Sequence, residues 1–170
     1  ARTAVSARSG EHVGSTEPAQ AVTIAQAYAN AHGELQATIS RDQWTVPGGF
    51  DVWRPLHRIA MDDAAGTEVY VSAKTGEVVI ATTRAQRVWN WLGAIPHWIY
   101  FTPLRANQQL WRQVVMWASA PGILLAVTGI WIGILRLRTQ YHGWKNWHQW
   151  SGIIGGLFLL TWIFSGWLSV

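Results

Sequence analysis

QVVMWASAPGILLAVTGIWIGIL, residues 113–135, holds no charged side chain between Arg112 and Arg136. As a helix, 23 residues would be roughly 34 Å long, enough to cross a hydrocarbon core of about 30 Å. A second uncharged apolar run, residues 150–170, closes the chain. Between and around these runs the acids vanish: after Glu77 there is no Asp or Glu, while residues 78–170 carry seven Lys or Arg. The fold class that follows is an α+β water-soluble N-terminal domain joined to membrane α-helices, two of them spanning and one interfacial.

The high pI is therefore not uniform basicity. Residues 1–77 hold six basic and nine acidic groups, net −3, and the remainder is +7. Basic side chains confined to membrane flanks point to lipid headgroups and topology rather than nucleic acid, so no nucleic-acid partner is expected. There is no Cys. That excludes disulfides, thiolate zinc sites, cysteine-ligated iron–sulfur clusters and covalently attached haem within the chain. Residues 1–17 are polar and read as a flexible segment. The chain begins with Ala1 and shows no basic-then-apolar leader, and Val170 stops inside an apolar run; the natural protein is expected to be longer at both ends.

The soluble domain is expected over residues 18–83. Thr16-Glu17-Pro18 reads as a helix start with a hydroxyl cap, and Gly33 as its stop after His32. Strands are expected near 53–61, 68–71 and 77–82, separated by turns at Asp62-Asp63-Ala64-Ala65-Gly66 and Lys74-Thr75-Gly76. Residues 84–112 form a connector in which Trp89, Trp91, Trp98, Tyr100 and Trp111 accompany Arg87, Arg105 and Arg112. Rings with arginines suit a short helix lying in the headgroup layer. Spanning helices are expected over 113–137 and 150–170, joined by a loop, 138–149, with another aromatic cluster: Tyr141, Trp144, Trp147 and Trp150. Arg136, Arg138 and Lys145 against Arg105 and Arg112 on the other flank favour a cytoplasmic loop.

Small residues mark packing faces: Ala118, Gly122 and Ala126; the GxxxG of Gly129 and Gly133; and that of Gly152 and Gly156. Helix contact is their first reading, a flat cofactor against backbone the second. Pro121 is expected to kink the first spanning helix. His148 opens the second, with Gly152, Gly155 and Gly156 at +4, +7 and +8 on its face. An imidazole followed by a glycine face meets what a haem needs, a nitrogen for iron and room for the porphyrin. The plainer alternative is an interfacial His turned to water. His97, after Pro96, has no glycine face, and the same alternative applies. His142 reads as a surface residue, and Met116 as core or lipid-facing rather than an axial ligand. His12, His32 and His57 carry no assignment. Without carboxylates near the membrane histidines or a serine or metal motif, the chemistry expected is electron transfer through a cofactor.

The run RPLHRIAMDDAAGTEVYVSAKTGEVV, residues 54–79, resembles a PepSY domain, through Tyr70-Val71 and Thr75-Gly76-Glu77-Val78. WLGAIPHWIYF, TGIWIGILRLR and WKNWHQWSGIIGGLFLLTWIFSGWLS then resemble, in order, the segments of the PepSY-associated transmembrane family. The resemblance covers about residues 18–170. It implies a bacterial inner-membrane protein with a periplasmic PepSY domain, linked to iron uptake. Some members are ferric-siderophore reductases that bind haem b through membrane histidines. By position, His97 and His148 match those histidines as candidate haem-iron ligands, and Gly152 lies on the cofactor-binding face. The family usually has further spanning helices before the PepSY domain and often after it, and these are missing here. His97 and His148 also fall at opposite ends of one spanning helix, so each would need a partner ligand from outside the 170 residues. The function implied is haem-b electron transfer, with a quinone or a ferric chelate as partner. The alternative is a non-catalytic accessory subunit packing its helices on a larger membrane complex. A regulator of a periplasmic peptidase rests on the domain name alone.

Overall fold

The computed structural model describes residues 4–5, 9–138, 140 and 142–169. Tyr141 of the expected loop cluster, Val170 and parts of the expected flexible segment lie outside the described residues. The chain divides into two units, Ala1–Asn107 and Gln108–Val170.

In the first unit, β1 (Ala4–Val5) pairs antiparallel with β2 (His12–Val13), so the polar N-terminal stretch contains a short ladder that its composition does not announce. Helix α1 (Pro18–Ala29) follows. Its N-cap is Glu17 rather than Thr16, and the Glu17 N–H donates to Gln20 Oε1 at 3.2 Å. Thr16 is instead buried, with its N–H on the Ala73 carbonyl at 2.7 Å. The helix ends at Asn30, in the left-handed region, which Asn tolerates better than most residues.

Gly33 is not the stop. It begins β3 (Gly33–Ile39), an edge strand that the sequence reading lacked. A Cβ on Gly33 would lie 2.8 Å from Met61 Sδ and Cε, so the glycine lets the edge strand close over Met61. β4 (Leu56–Met61), β5 (Glu68–Ser72) and β6 (Val78–Thr82) complete an antiparallel sheet in the order β3-β4-β5-β6. β4 starts three residues later than expected, after a turn at 51–53 and the cis Arg54–Pro55 bond.

Helix α1 covers one sheet face. Ala21 and Ala25, one turn apart, are fully buried against Ile59, Met61, Val69 and Val71. Two alanines let the helix approach closely, and each large side chain so buried contributes roughly 1.5–3 kcal/mol. His57, on the same face, is buried: its Nε2 lies 2.9 Å from the Thr16 carbonyl and its Nδ1 2.8 Å from Thr38 Oγ1. The carbonyl can only accept, so Nε2 carries the proton. The segment 40–55 covers the other face. Tyr70 is fully buried there and donates from Oη to Asp42 Oδ2 at 2.8 Å, while Ser72 Oγ donates to the Trp53 carbonyl at 2.8 Å.

The connector is three short helices rather than one: α2 (Arg84–Leu92), α3 (Ala94–Trp98) and α4 (Thr102–Arg105). Thr83 caps α2, its Oγ1 accepting from Gln86 N at 3.3 Å, as hydroxyl N-caps do. Arg87 turns inward. Its guanidinium donates to the Thr82 and Gly66 carbonyls, both at 2.8 Å, and lies 3.6 Å from Glu68, so it locks α2 to the sheet. Val88, Trp89 and Leu92 are exposed along α2.

The second unit is a helical hairpin, α5 (Gln108–Leu135) and α6 (Trp144–Ser169). Both are long and apolar enough to cross a membrane. A core helix of a soluble protein would bury its apolar side chains; Leu125 is 71% exposed and Phe158 71%. α5 stays helical through Pro121. Backbone carbonyls one turn back satisfy its hydroxyls, Ser119 on Val115 at 2.8 Å and Thr128 on Leu124 at 2.9 Å, a common arrangement for Ser and Thr within a helix.

Candidate functional site

The two glycine pairs of the hairpin are each split between two duties. Gly133 packs on α6, where an added Cβ would sit 3.2 Å from Ile153 Cγ1. Gly156 packs on α5, 3.0 Å from Ile130 Cγ1 by the same measure. Gly122 meets Ile163 at 3.4 Å. Their partners in the two motifs, Gly129 and Gly152, have nothing within 4 Å of the Cβ position. One glycine of each pair brings the helices together and the other is left open.

The open glycines line a groove of about 530 Å³ at the loop end of the hairpin. Gly129, Ile132 and Gly133 of α5 form one wall, which Arg136, the first residue past the helix, continues at i+7. Lys145, His148, Gln149, Gly152 and Ile153 form the other, at i, i+3, i+4, i+7 and i+8 of α6. Both are single helix faces, each spanning roughly 10 Å of helix axis. The volume falls within the roughly 300–1,000 Å³ of small-molecule and cofactor sites. Gln149 braces the loop end: its Oε1 accepts from Arg138 N at 3.0 Å, and its Nε2 donates to the Arg138 carbonyl at 3.4 Å.

His148 is exposed toward this space, and its ring makes no hydrogen bond among the described residues. The side chains of Arg136 and Lys145 likewise make no ion pair or hydrogen bond among them. Residues 78–170 contain no carboxylate that could serve them.

His148 and Gly152 thus come together as the face periodicity predicts. The open glycine opposite them is Gly129, whereas Gly156 belongs to the helix contact and Gly155 has open space without lining the groove. His97 sits in the last turn of α3, in the other unit, with its ring edge-on to Trp98 at 5.6 Å. The groove's lining comes wholly from the second unit, from α5, α6 and Arg136 just after α5. His142 is exposed in the loop. Met116 is half-buried near the start of α5, roughly 25 Å of helix from Gly133, and so cannot share an iron with His148. No group of three or more His, Asp or Glu that could hold a metal ion occurs among the described residues.

Reading the sequence missed Arg136, Lys145 and Gln149 as site residues. Their signal was present: Arg136 continues the Gly129–Gly133 face by one more turn, and Lys145 precedes His148 by three. In the sequence both cations read only as topology markers.

No protein-family model, characterised protein or solved structure matches the chain.

Proposed function

We propose that the chain is a membrane electron-transfer protein of the PepSY-associated type that would hold haem b in the α5–α6 groove, with His148 as a ligand to its iron. The observation that supports it most is the His148 imidazole, without a hydrogen bond among the described residues, beside two glycines, Gly129 and Gly152, whose Cβ positions are open. The donor chemistry fits. A neutral imidazole nitrogen is a common haem ligand, and bare backbone lets a flat macrocycle lie close. Bound haem would supply an iron that takes up and releases one electron. Gln149 would hold the loop end in place, Ile132 and Ile153 would exclude water, and His148 would orient toward the iron. His148 is the one His or Met among the groove's lining residues, so any further nitrogen or sulfur ligand would come from outside the groove.

In this reading the protein lies in a bacterial inner membrane, with residues 18–83 as a periplasmic PepSY-type domain. It would connect a quinone or the cytoplasm with a periplasmic acceptor such as a ferric chelate. His97 would serve a separate site completed by further helices. The test is the visible spectrum of the purified protein: a Soret band that His148→Ala removes or shifts while the helical signal is kept. A protein that inserts, folds and shows no Soret band with added haem rejects the reading.

One observation favours the second reading, an accessory subunit of a larger membrane complex. Gly155 and Ala118 are exposed outside the α5–α6 contact, which is where another helix could approach. Co-purification of a stoichiometric membrane partner without haem would support it.

A further inference from the structure

We infer that Arg136 and Lys145 form an anion clamp at the mouth of the α5–α6 groove, taking the two propionate carboxylates of the porphyrin. This rests on the haem reading of His148 and adds the side chains that would select the ligand.

The groove has two chemically distinct ends. Away from the loop it is bare backbone and aliphatic: Gly129, Ile132, Gly133, Gly152 and Ile153. The loop end is lined by Arg136, just past the last residue of α5, and by Lys145 of α6. Two like charges that share a mouth repel each other, and in an interface of reduced dielectric that repulsion is stronger than in water. Proteins usually relieve it with a carboxylate, but residues 78–170 contain none. No side chain of residues 78–170 supplies the compensating negative charge, which a ligand, a lipid or solution ions would provide. Because the cations sit on opposite walls, they suit a ligand with two separate anionic groups better than one with a single compact phosphate. Lys145 lies one turn before His148 on the same face, so an anionic group held there would lie within about 5 Å of helix axis from the imidazole. A flat apolar body with a central metal and two carboxylates on one edge meets all three requirements. Charge-assisted bonds of Arg and Lys to carboxylate are the stronger class of hydrogen bond.

The experiment titrates the full chain, purified without haem in neutral detergent, with iron protoporphyrin IX and with its dimethyl ester, which caps both carboxylates. The protein-dependent shift of the Soret band, measured against porphyrin in detergent alone, reports binding. The wild type should bind the free acid at least about tenfold more tightly than the ester, one charge-assisted contact's worth of affinity. Arg136→Gln with Lys145→Gln should remove that preference while keeping a Soret shift that depends on His148. Should the double variant misfold, the acid-to-ester ratio of the wild type decides alone. Equal binding of acid and ester, with the shift still lost in His148→Ala, overturns the clamp and leaves the haem reading standing. No shift with either porphyrin overturns both. If native mass spectrometry then finds phosphatidylglycerol retained by the wild type and lost from the double variant, the cations serve a lipid phosphate instead.

Discussion

Gln43 and Thr102, 59 residues apart, are joined through one oxygen: Gln43 Oε1 accepts from both the Thr102 N–H, at 3.2 Å, and its hydroxyl, at 2.9 Å. The same amide donates from Nε2 to the Tyr100 carbonyl at 2.5 Å. One side chain from the segment covering the sheet therefore holds the start of α4. Gln43→Ala would leave a backbone N–H and a carbonyl to find water, at a cost of roughly 1–2 kcal/mol. The expected outcome is local rather than global: amide exchange at Thr102 speeds by about tenfold while the sheet amides stay protected. An unchanged rate at Thr102 would show that the tie carries no stability.

Tyr70 gives a prediction with a pH sign. Burial first, then the bonded Asp42 and nearby Glu68 carboxylates, push its phenol well above the ordinary tyrosine range. The neutral form is favoured by folding, so its contribution is complete below the unfolded pKa of about 10 and declines as pH rises above it. Tyr70→Phe removes the donor between Asp42 Oδ2 and Glu68 Oε2, at 2.8 and 3.1 Å, and should cost about 1–2 kcal/mol at neutral pH. From about pH 10 upward to about 12 the wild type should lose stability faster than the variant. Parallel denaturation curves across that range would remove the assigned role.

What the sequence made legible follows the strength of each local signal. The two long helices rest on uncharged runs that water would not tolerate, and their identity as helices follows from length alone. The strands β4, β5 and β6 carry alternating or continuous apolar residues between clear turns. β3 escaped because it lies at the sheet edge, where Glu34, Leu35 and Gln36 are all exposed, so the alternation of Leu35, Ala37 and Ile39 marks no fully buried face. Arg87 was read as a headgroup partner because sequence shows a charge beside tryptophans; its two carbonyl acceptors come from a turn 21 residues earlier and from the end of β6. In the groove, a face rule was enough for His148 and Gly152. It could not say which glycine of each GxxxG would be spent on helix contact, since that depends on how Ile130 and Ile153 pack across the hairpin.

The division of the glycines is itself testable. Gly156→Leu would drive a side chain into Ile130, and Gly133→Leu into Ile153, where the Cβ alone already stands at 3.0 and 3.2 Å. Each should weaken the hairpin by about 1–3 kcal/mol, the usual cost of overpacking. Gly155→Leu meets open space and should leave thermal unfolding in detergent unchanged. A Gly155 variant as damaged as the Gly156 one would mean that a further helix packs on that face, which is what the accessory-subunit reading requires.

The proposed orientation can be tested on a clean chemical background, because the chain has no cysteine. Arg136, Arg138 and Lys145 in or beside the loop between α5 and α6, with no acid there, favour the cytoplasmic side. His142 and Lys74 are both exposed, one in that loop and the other in the turn before β6. His142→Cys should react with a membrane-impermeant maleimide only after permeabilisation or in inverted vesicles. Lys74→Cys should react in intact spheroplasts. Reversal of both patterns would invert the topology and place the His148 groove at the outer face. Labelling of both positions from one side would mean that α5 does not cross the membrane.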